Sequence, residues 1–263
     1  MLRTMGSLAL ICLCVFALGG QAAAAPKLTG SLVEKDDTPR LRATLDGNPV
    51  IHADRGPLYG DSDCDVRVKL DPLPDGVALV YTVSNNTDAP ADLPEFYVPG
   101  IALPVDDLRY LRTWKTVQLH RFNAEAGRIG IHPARCYPSG GCYSPVSGLM
   151  TPEAMLGAQM IYDLFDLKVD MWCNYKYDKR TKQFTLVFQP RGPRVKGAKG
   201  WARFARGTLA PGKTATFTLA LAAAPAGEWV KAFRPYRDHF RKTYGEVRYK
   251  DVRRDPIYAL SLS

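Results

Sequence analysis

Residues 213–221 read KTATFTLAL, in which polar and apolar side chains alternate from Thr214 to Leu219. Neighbouring side chains of a β-strand point to opposite faces of its sheet. The apolar face consists of Ala215, Phe217, Leu219 and Leu221, and the polar face of Thr214, Thr216 and Thr218. The stretch therefore predicts a strand with one face in a core and one in water, which is typical of antiparallel sheets.

The same alternation recurs along most of the chain. It appears in CDVRVKL (64–70), VALVYTV (77–83), LKVDMWCNY (167–175) and QFTLVFQ (183–189). Asp46-Gly47, between two such stretches, is a strong signal for a two-residue hairpin turn. These patterns predict an all-β fold, a two-sheet antiparallel supersandwich.

One α-helix is predicted at the carboxy-terminal end, over residues 226–244. Aromatic side chains recur there at steps of three and four residues, which gives an apolar stripe from Trp229 through Phe233 and Phe240 to Tyr244. Pro235 lies inside this stretch and is expected to kink the helix, because proline removes one helical hydrogen bond.

Four regions are expected: a signal peptide (1–25), a β-sandwich domain (26–225), a linking helix with a basic segment (226–250) and an apolar tail (251–263). In the first region Arg3 is followed by the apolar run LALICLCVFAL and by small residues near Ala23–Ala25. This order is typical of a secretion signal, and the run is too short for a transmembrane segment. The protein is therefore predicted to be exported, to the periplasm or the extracellular space.

The chain is basic, with 35 Lys and Arg, 26 Asp and Glu, and a formal charge of +9. A basic surface attracts nucleic acid, anionic lipid or acidic polysaccharide. The charges are dispersed through turns and one helix face, which favours an ordinary solvated surface. Because export is also predicted, nucleic acid is not expected as a partner.

Four of the six cysteines follow the predicted signal, and export places them in an oxidising compartment. Cys136 and Cys142 flank the short turn YPSGG, while Cys64 and Cys173 both lie on apolar strand faces. Of the three pairings that four cysteines allow, Cys136–Cys142 with Cys64–Cys173 is the predicted one. The alternative is a zinc site, which the absence of a C-x-x-C pair and of suitably spaced histidines disfavours.

Asp61, Asp63 and Asp65 resemble the start of a calcium-binding loop. Such a loop requires glycine at its sixth position and glutamate at its twelfth, where this chain has Val66 and Pro72. The aspartates are therefore assigned to a turn and a polar strand face. No metal site and no cofactor are predicted.

No catalytic motif is present: the sequence contains no G-x-S-x-G, no H-E-x-x-H and no Walker loop. The best ligand candidate is the stretch GRIGIHPARCYPSGGCYSPVSGLM (127–150), with Trp114 as a weaker addition. Its aromatic rings can stack on sugar rings, and its His and Arg can bond hydroxyl groups. The predicted carbohydrate-binding residues are His132, Arg135, Tyr137, Tyr143 and Trp114. The alternative is that the tyrosines merely cover the edge of the sandwich.

The order of several segments resembles a known family. The segments are VALVYTVSNNTDAP, FYVPGI, YSPVSGLM, LAPGKTATFTLAL, PYRDHFRKTYGEVRY and DPIYALSLS. Together they resemble the amino-terminal β-supersandwich, of the galactose-mutarotase-like fold, in secreted α-galactosidase-like glycoside hydrolases. In that family a TIM barrel with the catalytic carboxylates follows, and DPIYALSLS resembles its first strand. No catalytic residue of such a barrel matches a position of this sequence, so none is carried over.

The leading hypothesis is a non-catalytic carbohydrate-associated module, an accessory or truncated amino-terminal domain that binds a glycan or packs against a catalytic barrel in trans. One alternative is a sandwich enzyme of mutarotase or polysaccharide-lyase type, which needs histidine and carboxylate groups converging in a concave groove. The other is a cell-envelope interaction protein with a large exposed apolar or basic patch. Within the tail, DPIYALSLS (255–263) is expected to have no stable sheet partner in a monomer.

Overall fold

The protein is described from a computed structural model that covers residues 25–113, 117–125, 137–138, 144–197 and 204–245. Within these ranges the strands, in chain order, are β1 (Leu28–Lys35), β2 (Thr38–Leu45), β3 (Asn48–Ile51), β4 (Asp65–Leu73), β5 (Gly76–Ser84), β6 (Ala91–Asp92), β7 (Phe96–Ile101), β8 (Arg109–Arg112), β9 (Gln118–Arg121), β10 (Val146–Met150), β11 (Ala154–Tyr162), β12 (Asp170–Asp178), β13 (Gln183–Arg194), β14 (Phe204–Arg206), β15 (Thr208–Leu209) and β16 (Thr214–Pro225). The helical segments of the same ranges are a 3-10 turn (Ala53–Arg55), α1 (Leu164–Leu167), a 3-10 helix (Ala226–Phe233) and α2 (Arg234–Tyr244). None of these helices is long and apolar enough to cross a membrane.

Two seven-stranded antiparallel sheets form the body of the described chain. The first has the order β1-β2-β3-β7-β13-β12, with β14 paired to β13, and the second has the order β4-β5-β16-β11-β10-β8-β9. The strand β1 lies over β4 and β5 at one side of the sandwich, and β12 lies over β10 at the other. The predicted two-sheet antiparallel sandwich with a carboxy-terminal helix is confirmed.

The core lies between the two sheets, where the predicted apolar faces meet. On β16, Phe217, Leu219 and Leu221 are fully buried, whereas Thr214 and Thr216 are exposed. The ring of Phe217 lies 4.8 Å from that of Phe96 on the opposite sheet. Burial of such large side chains, at about 25 cal/mol per Å² of apolar surface, is the main contribution holding the sheets together.

The turn chemistry also agrees with the sequence. Strand β2 ends at Leu45 and β3 begins at Asn48, so Asp46 and Gly47 form a two-residue turn. Their φ angles are 51° and 82°, both in the left-handed region. A hairpin turn with positive φ at both positions favours an Asp-Gly pair, since glycine adopts this conformation without steric cost.

The carboxy-terminal segment consists of a 3-10 helix, kinked at the non-helical backbone of Glu228, and α2, where the sequence predicted one kinked helix over 226–244. The 3-10 helix ends at Phe233, and α2 begins at Arg234 with Pro235 in its first turn. Proline suits this position, because the N–H groups of a first turn have no intrahelical partner. Pro235 therefore marks the start of a second helix.

The predicted Cys64–Cys173 disulfide is wrong, because the structure does not join these two residues. Both are buried next to the core, as their strand faces predicted. However, Cys64 immediately precedes β4 at one lateral edge of the sandwich, and Cys173 lies in β12 at the opposite edge. A disulfide requires the two Cα atoms to lie within about 7 Å.

Other predictions fall outside the described residues. They concern residues 1–24 of the predicted signal peptide, the Cys136–Cys142 bridge and the tail 251–263.

Candidate functional site

Of the five predicted carbohydrate-binding residues, the structure describes Tyr137. It is half-buried and pairs with the edge of the first sheet: its N–H donates to the carbonyl of Met171 at 3.0 Å and its carbonyl accepts from Met171 N–H at 2.7 Å. The remaining four, His132, Arg135, Tyr143 and Trp114, lie outside the described residues. Their convergence stays a prediction.

Tyr137 lines a groove between α2, α1 and the second sheet, called here the α2 groove. Its apolar end has a volume of about 230 Å³ and is lined by Tyr137, Pro145, Met160, Ile161, Tyr162, Leu164, Phe165, Tyr236, His239, Phe240 and Tyr244. Its polar end has a volume of about 390 Å³ and is lined by Ile161, Tyr162, Asp163, Asp166, Leu167, Thr214, Ala215, Thr216, Thr218 and His239. The two ends share Ile161, Tyr162 and His239.

Aromatic rings form one wall of the apolar end. The ring centroids of Phe165 and Tyr244 are 5.6 Å apart, and those of Tyr244 and Phe240 are 4.9 Å apart. Phe165 is 68% exposed and Tyr244 is 43% exposed, so an aromatic pair stands in water at the mouth of the groove. The two rings meet edge to face at 76°, so each ring offers its own apolar face to a ligand.

The phenol groups of Tyr236 and Tyr137 continue this wall inward. Tyr236 Oη donates to Tyr137 Oη across 3.2 Å. Burial, together with this hydrogen bond, raises the pKa of Tyr236 well above its usual range, so the phenol keeps its proton. The bond joins α2 to the stretch that the sequence singled out for ligand binding.

A buried glutamine on β11 fixes the position of α2. Gln159 is fully buried; its Nε2 donates to the Ala232 carbonyl at 2.9 Å, and its Oε1 accepts from the Tyr236 N–H at 2.8 Å. The Tyr236 N–H belongs to the first turn of α2, where backbone donors need partners from outside the helix. Gln159 thus hydrogen-bonds one backbone carbonyl and one backbone N–H at the junction between the 3-10 helix and α2.

Two glycines let the 3-10 helix lie directly on the second sheet. A Cβ added at Gly157 would stand 2.9 Å from both the Cβ and the carbonyl oxygen of Ala232, and one at Gly148 would stand 3.1 Å from the ring of Phe233. These distances are shorter than van der Waals contacts allow. The absence of a side chain on this face of β10 and β11 therefore permits the close approach.

The turn at α1 positions the other rim of the groove. Asp163 Oδ1 accepts from the backbone N–H of Phe165 at 3.0 Å and from that of Asp166 at 2.9 Å, and so caps the first turn. Lys168 ends the turn in the left-handed conformation, with φ of 49°. The cap holds Phe165 and Asp166 at the groove mouth.

The floor of the polar end is the threonine face of β16. Thr214, Thr216 and Thr218 occupy alternate positions and point away from the core, as the alternation of residues 213–221 predicted. Each hydroxyl group can both donate and accept a hydrogen bond. The sequence pattern thus located this floor, although it contained no sign that a ligand surface would form there.

His239 stands at the junction of the two ends. Burial and the neighbouring charge of Lys242 lower the pKa of its imidazole below the ordinary value of 6.5, so the ring is neutral near pH 7. A neutral imidazole carries one donor and one acceptor nitrogen. The sequence does not mark His239 as a site residue, because a single histidine in a helix is more often a surface or structural residue.

No protein-family model matches the chain, and no curated protein matches it. Among solved structures it is similar to a "putative aldose 1-epimerase" of Escherichia coli K12, with 13% identity and a TM-score of 0.34 over 74% of this chain and 68% of that chain. It is also similar to a glycoside hydrolase family 97 enzyme from Pseudoalteromonas sp. strain K8, in complex with acarbose, with 10% identity and a TM-score of 0.33 over 76% of this chain and 35% of that chain. Similarities of this size carry no argument about what the chain binds, and the resemblance to α-galactosidase-like hydrolases stays a prediction.

A second polar network lies on the outer face of the first sheet. Tyr97 Oη donates to Glu95 Oε2 at 2.6 Å, the Gln189 amide donates to the other oxygen of Glu95, and Arg191 donates to Gln189 Oε1. These groups satisfy one another, as buried polar side chains generally do. In the ranges described, no three His, Cys, Asp or Glu side chains form a group that could hold a metal ion.

Proposed function

We propose that this chain is a carbohydrate-binding β-sandwich module that holds a glycan in the α2 groove without cleaving it. The exposed Phe165–Tyr244 pair beside the threonine floor carries the proposal. Sugar rings have apolar C–H faces and hydroxyl-bearing edges. A ligand in this groove would place the former on the aromatic wall and the latter over the polar end.

The two ends of the α2 groove match the apolar face and the hydroxyl-bearing edge of a sugar. The apolar end offers ring faces and Leu164, while the polar end offers threonine hydroxyls, Asp166 and the neutral imidazole of His239. Ligand pockets commonly combine an apolar lining with a few polar groups that set orientation. Tyr244 lies on α2, whose first turn is bonded to Gln159, and the floor lies on β16, which is paired on both sides, so a preformed site is favoured.

A glycan array followed by calorimetric titration of the bound sugar tests the proposal. Phe165→Ala should weaken binding by about 1–2 kcal/mol, because it removes one exposed aromatic face. Val230→Ala is the matched control: Val230 is 62% exposed and lies outside the groove. A wild-type chain that binds no sugar on the array, or equal losses in the two variants, would contradict the proposal.

A sandwich enzyme of mutarotase or lyase type is the second candidate. The observation that favours it is the presence of His239, Asp163 and Asp166 on one groove, since acid–base catalysis requires such groups to converge on the substrate. Mutarotation of free aldoses, followed by NMR, and lyase release of unsaturated sugars test it. Activity that His239→Gln abolishes would favour the enzyme over the binding module.

A further inference from the structure

The charge of the α2 groove differs from that of the chain as a whole. The chain carries +9, which by itself favours an acidic polysaccharide as a ligand. The described residues that line the groove, however, include two carboxylates, Asp163 and Asp166, and no lysine or arginine. Groups in direct contact with a ligand act at short range, whereas dispersed surface charges are screened by salt within about 10 Å.

The two carboxylates are available to a ligand. Asp166 is exposed, and its carboxylate makes no hydrogen bond or ion pair within the part of the chain that the structure describes. Asp163 uses Oδ1 to cap α1, which leaves its second oxygen for another donor. A carboxylate only accepts hydrogen bonds, and an ammonium group only donates them.

The imidazole that lines the same end does not offset these charges. His239 is neutral near pH 7, because burial and Lys242 lower its pKa. Lys242 itself is exposed and does not line either end of the groove. The polar end therefore presents negative charge and hydroxyl groups beside an aromatic rim.

We infer that the α2 groove selects glycans that carry free amino groups over their N-acetylated forms, and rejects uronic acids. This inference rests on the proposed carbohydrate binding and names the chemical class of the sugar. The sugar ring would stack on the exposed face of Phe165, and its ammonium group would donate to Asp166. A uronate would instead bring a second carboxylate towards Asp163 and Asp166.

Matched ligands test the inference. We would titrate the wild-type chain with glucosamine and galactosamine oligosaccharides, each with free amines and N-acetylated, and with oligouronates of both configurations. The free-amine form should bind about three- to tenfold more tightly than its N-acetylated form, and 0.5 M salt should remove most of this difference.

Asp166→Asn should reduce the preference for the free amine about two- to fivefold, because loss of the negative charge weakens binding of the free-amine form more than binding of the N-acetylated form. Asp238→Asn is the control, because Asp238 is exposed on α2, pairs with Arg237 at 2.8 Å and lies outside the groove. Equal or weaker binding of the free-amine form, or tighter binding of uronates, would overturn the inference and leave carbohydrate binding standing. Binding of no oligosaccharide, here or on the glycan array, would overturn both.

Discussion

Replacing Gln159 by methionine should loosen α2 from the sandwich. Methionine has a similar volume but can neither donate to the Ala232 carbonyl nor accept from the Tyr236 N–H. Both backbone groups would lose their partner, and the side chain at this position is fully buried, so water cannot readily replace it. The substitution therefore tests whether one amide holds the helical junction.

The magnitude follows from the two bonds. A buried group left without its partner costs about 1–3 kcal/mol, so the two together correspond to about 2–5 kcal/mol after local relaxation. The loss in free energy of unfolding cannot exceed the free energy of undocking residues 226–244, because the chain can release these helices before it unfolds. The loss should appear first in these segments and then in the global unfolding midpoint.

Two measurements separate these effects. Urea unfolding gives the change in free energy, and hydrogen exchange shows whether the amides of residues 226–244 lose protection before those of β11 and β16. Gln118→Met is the control, since Gln118 is exposed on β9 of the same sheet and its replacement should change stability by less than about 0.5 kcal/mol. A loss at Gln159 no larger than at Gln118, with unchanged exchange at the helices, would refute the reasoning.

Three further predictions concern the same helices. Gly157→Ala should separate the 3-10 helix from β11 and expose residues 226–233 to proteolysis, because its Cβ would stand 2.9 Å from Ala232, whereas Gly227→Ala, with no atom within 4 Å of its Cβ, should not. Phe233→Ala should lower the free energy of unfolding by about 2–4 kcal/mol, since Phe233 packs against the buried cluster of Met150, Met155, Ala224 and Ala232. Denaturation of Val230→Ala, which should lose less than about 0.5 kcal/mol, gives the comparison. The pKa of His239, measured by NMR, should lie below 6.5. Because this folded-state pKa is lower than the unfolded-state pKa, His239 does not affect the free energy of unfolding above pH 6.5 but lowers it as the pH falls through the folded-state pKa. His239→Gln should remove that part of the acid sensitivity, and a pKa above 6.5 would show that burial and Lys242 do not act as the structure implies.

The two described cysteines show what the alternation of a strand can predict: it predicts burial, but not which residues are neighbours. Alternation placed Cys64 and Cys173 on inward faces, and both are indeed buried beside the core. The inward face is common to every strand of the sandwich, however, and does not specify a position across the sheets. Only the strand order shows that β4 and β12 lie at opposite edges.

In the carboxy-terminal helices, too, local sequence predicts the apolar stripe but not the distant residue that contacts the helices. The aromatic stripe predicted an amphipathic helix, and both helical pieces do pack on the second sheet. The break at Phe233 depends on a partner distant in sequence, since Gln159 accepts from the Tyr236 N–H that opens α2. No feature of residues 226–244 could indicate that partner.

Local patterns specify the longer alternating strands, the Asp46-Gly47 turn and the faces that enter the core, because each depends on side chains within a few residues of one another. The tertiary structure decided which strands are neighbours and which side chains form the α2 groove. It joins Tyr137, Phe165, Thr216 and His239, which come from four separate parts of the chain. Such a site depends on pairings such as that of β5 with β16, whose residues Ser84 and Thr214 are 130 positions apart. Contacts over that separation follow from packing the whole core, and no local pattern encodes them.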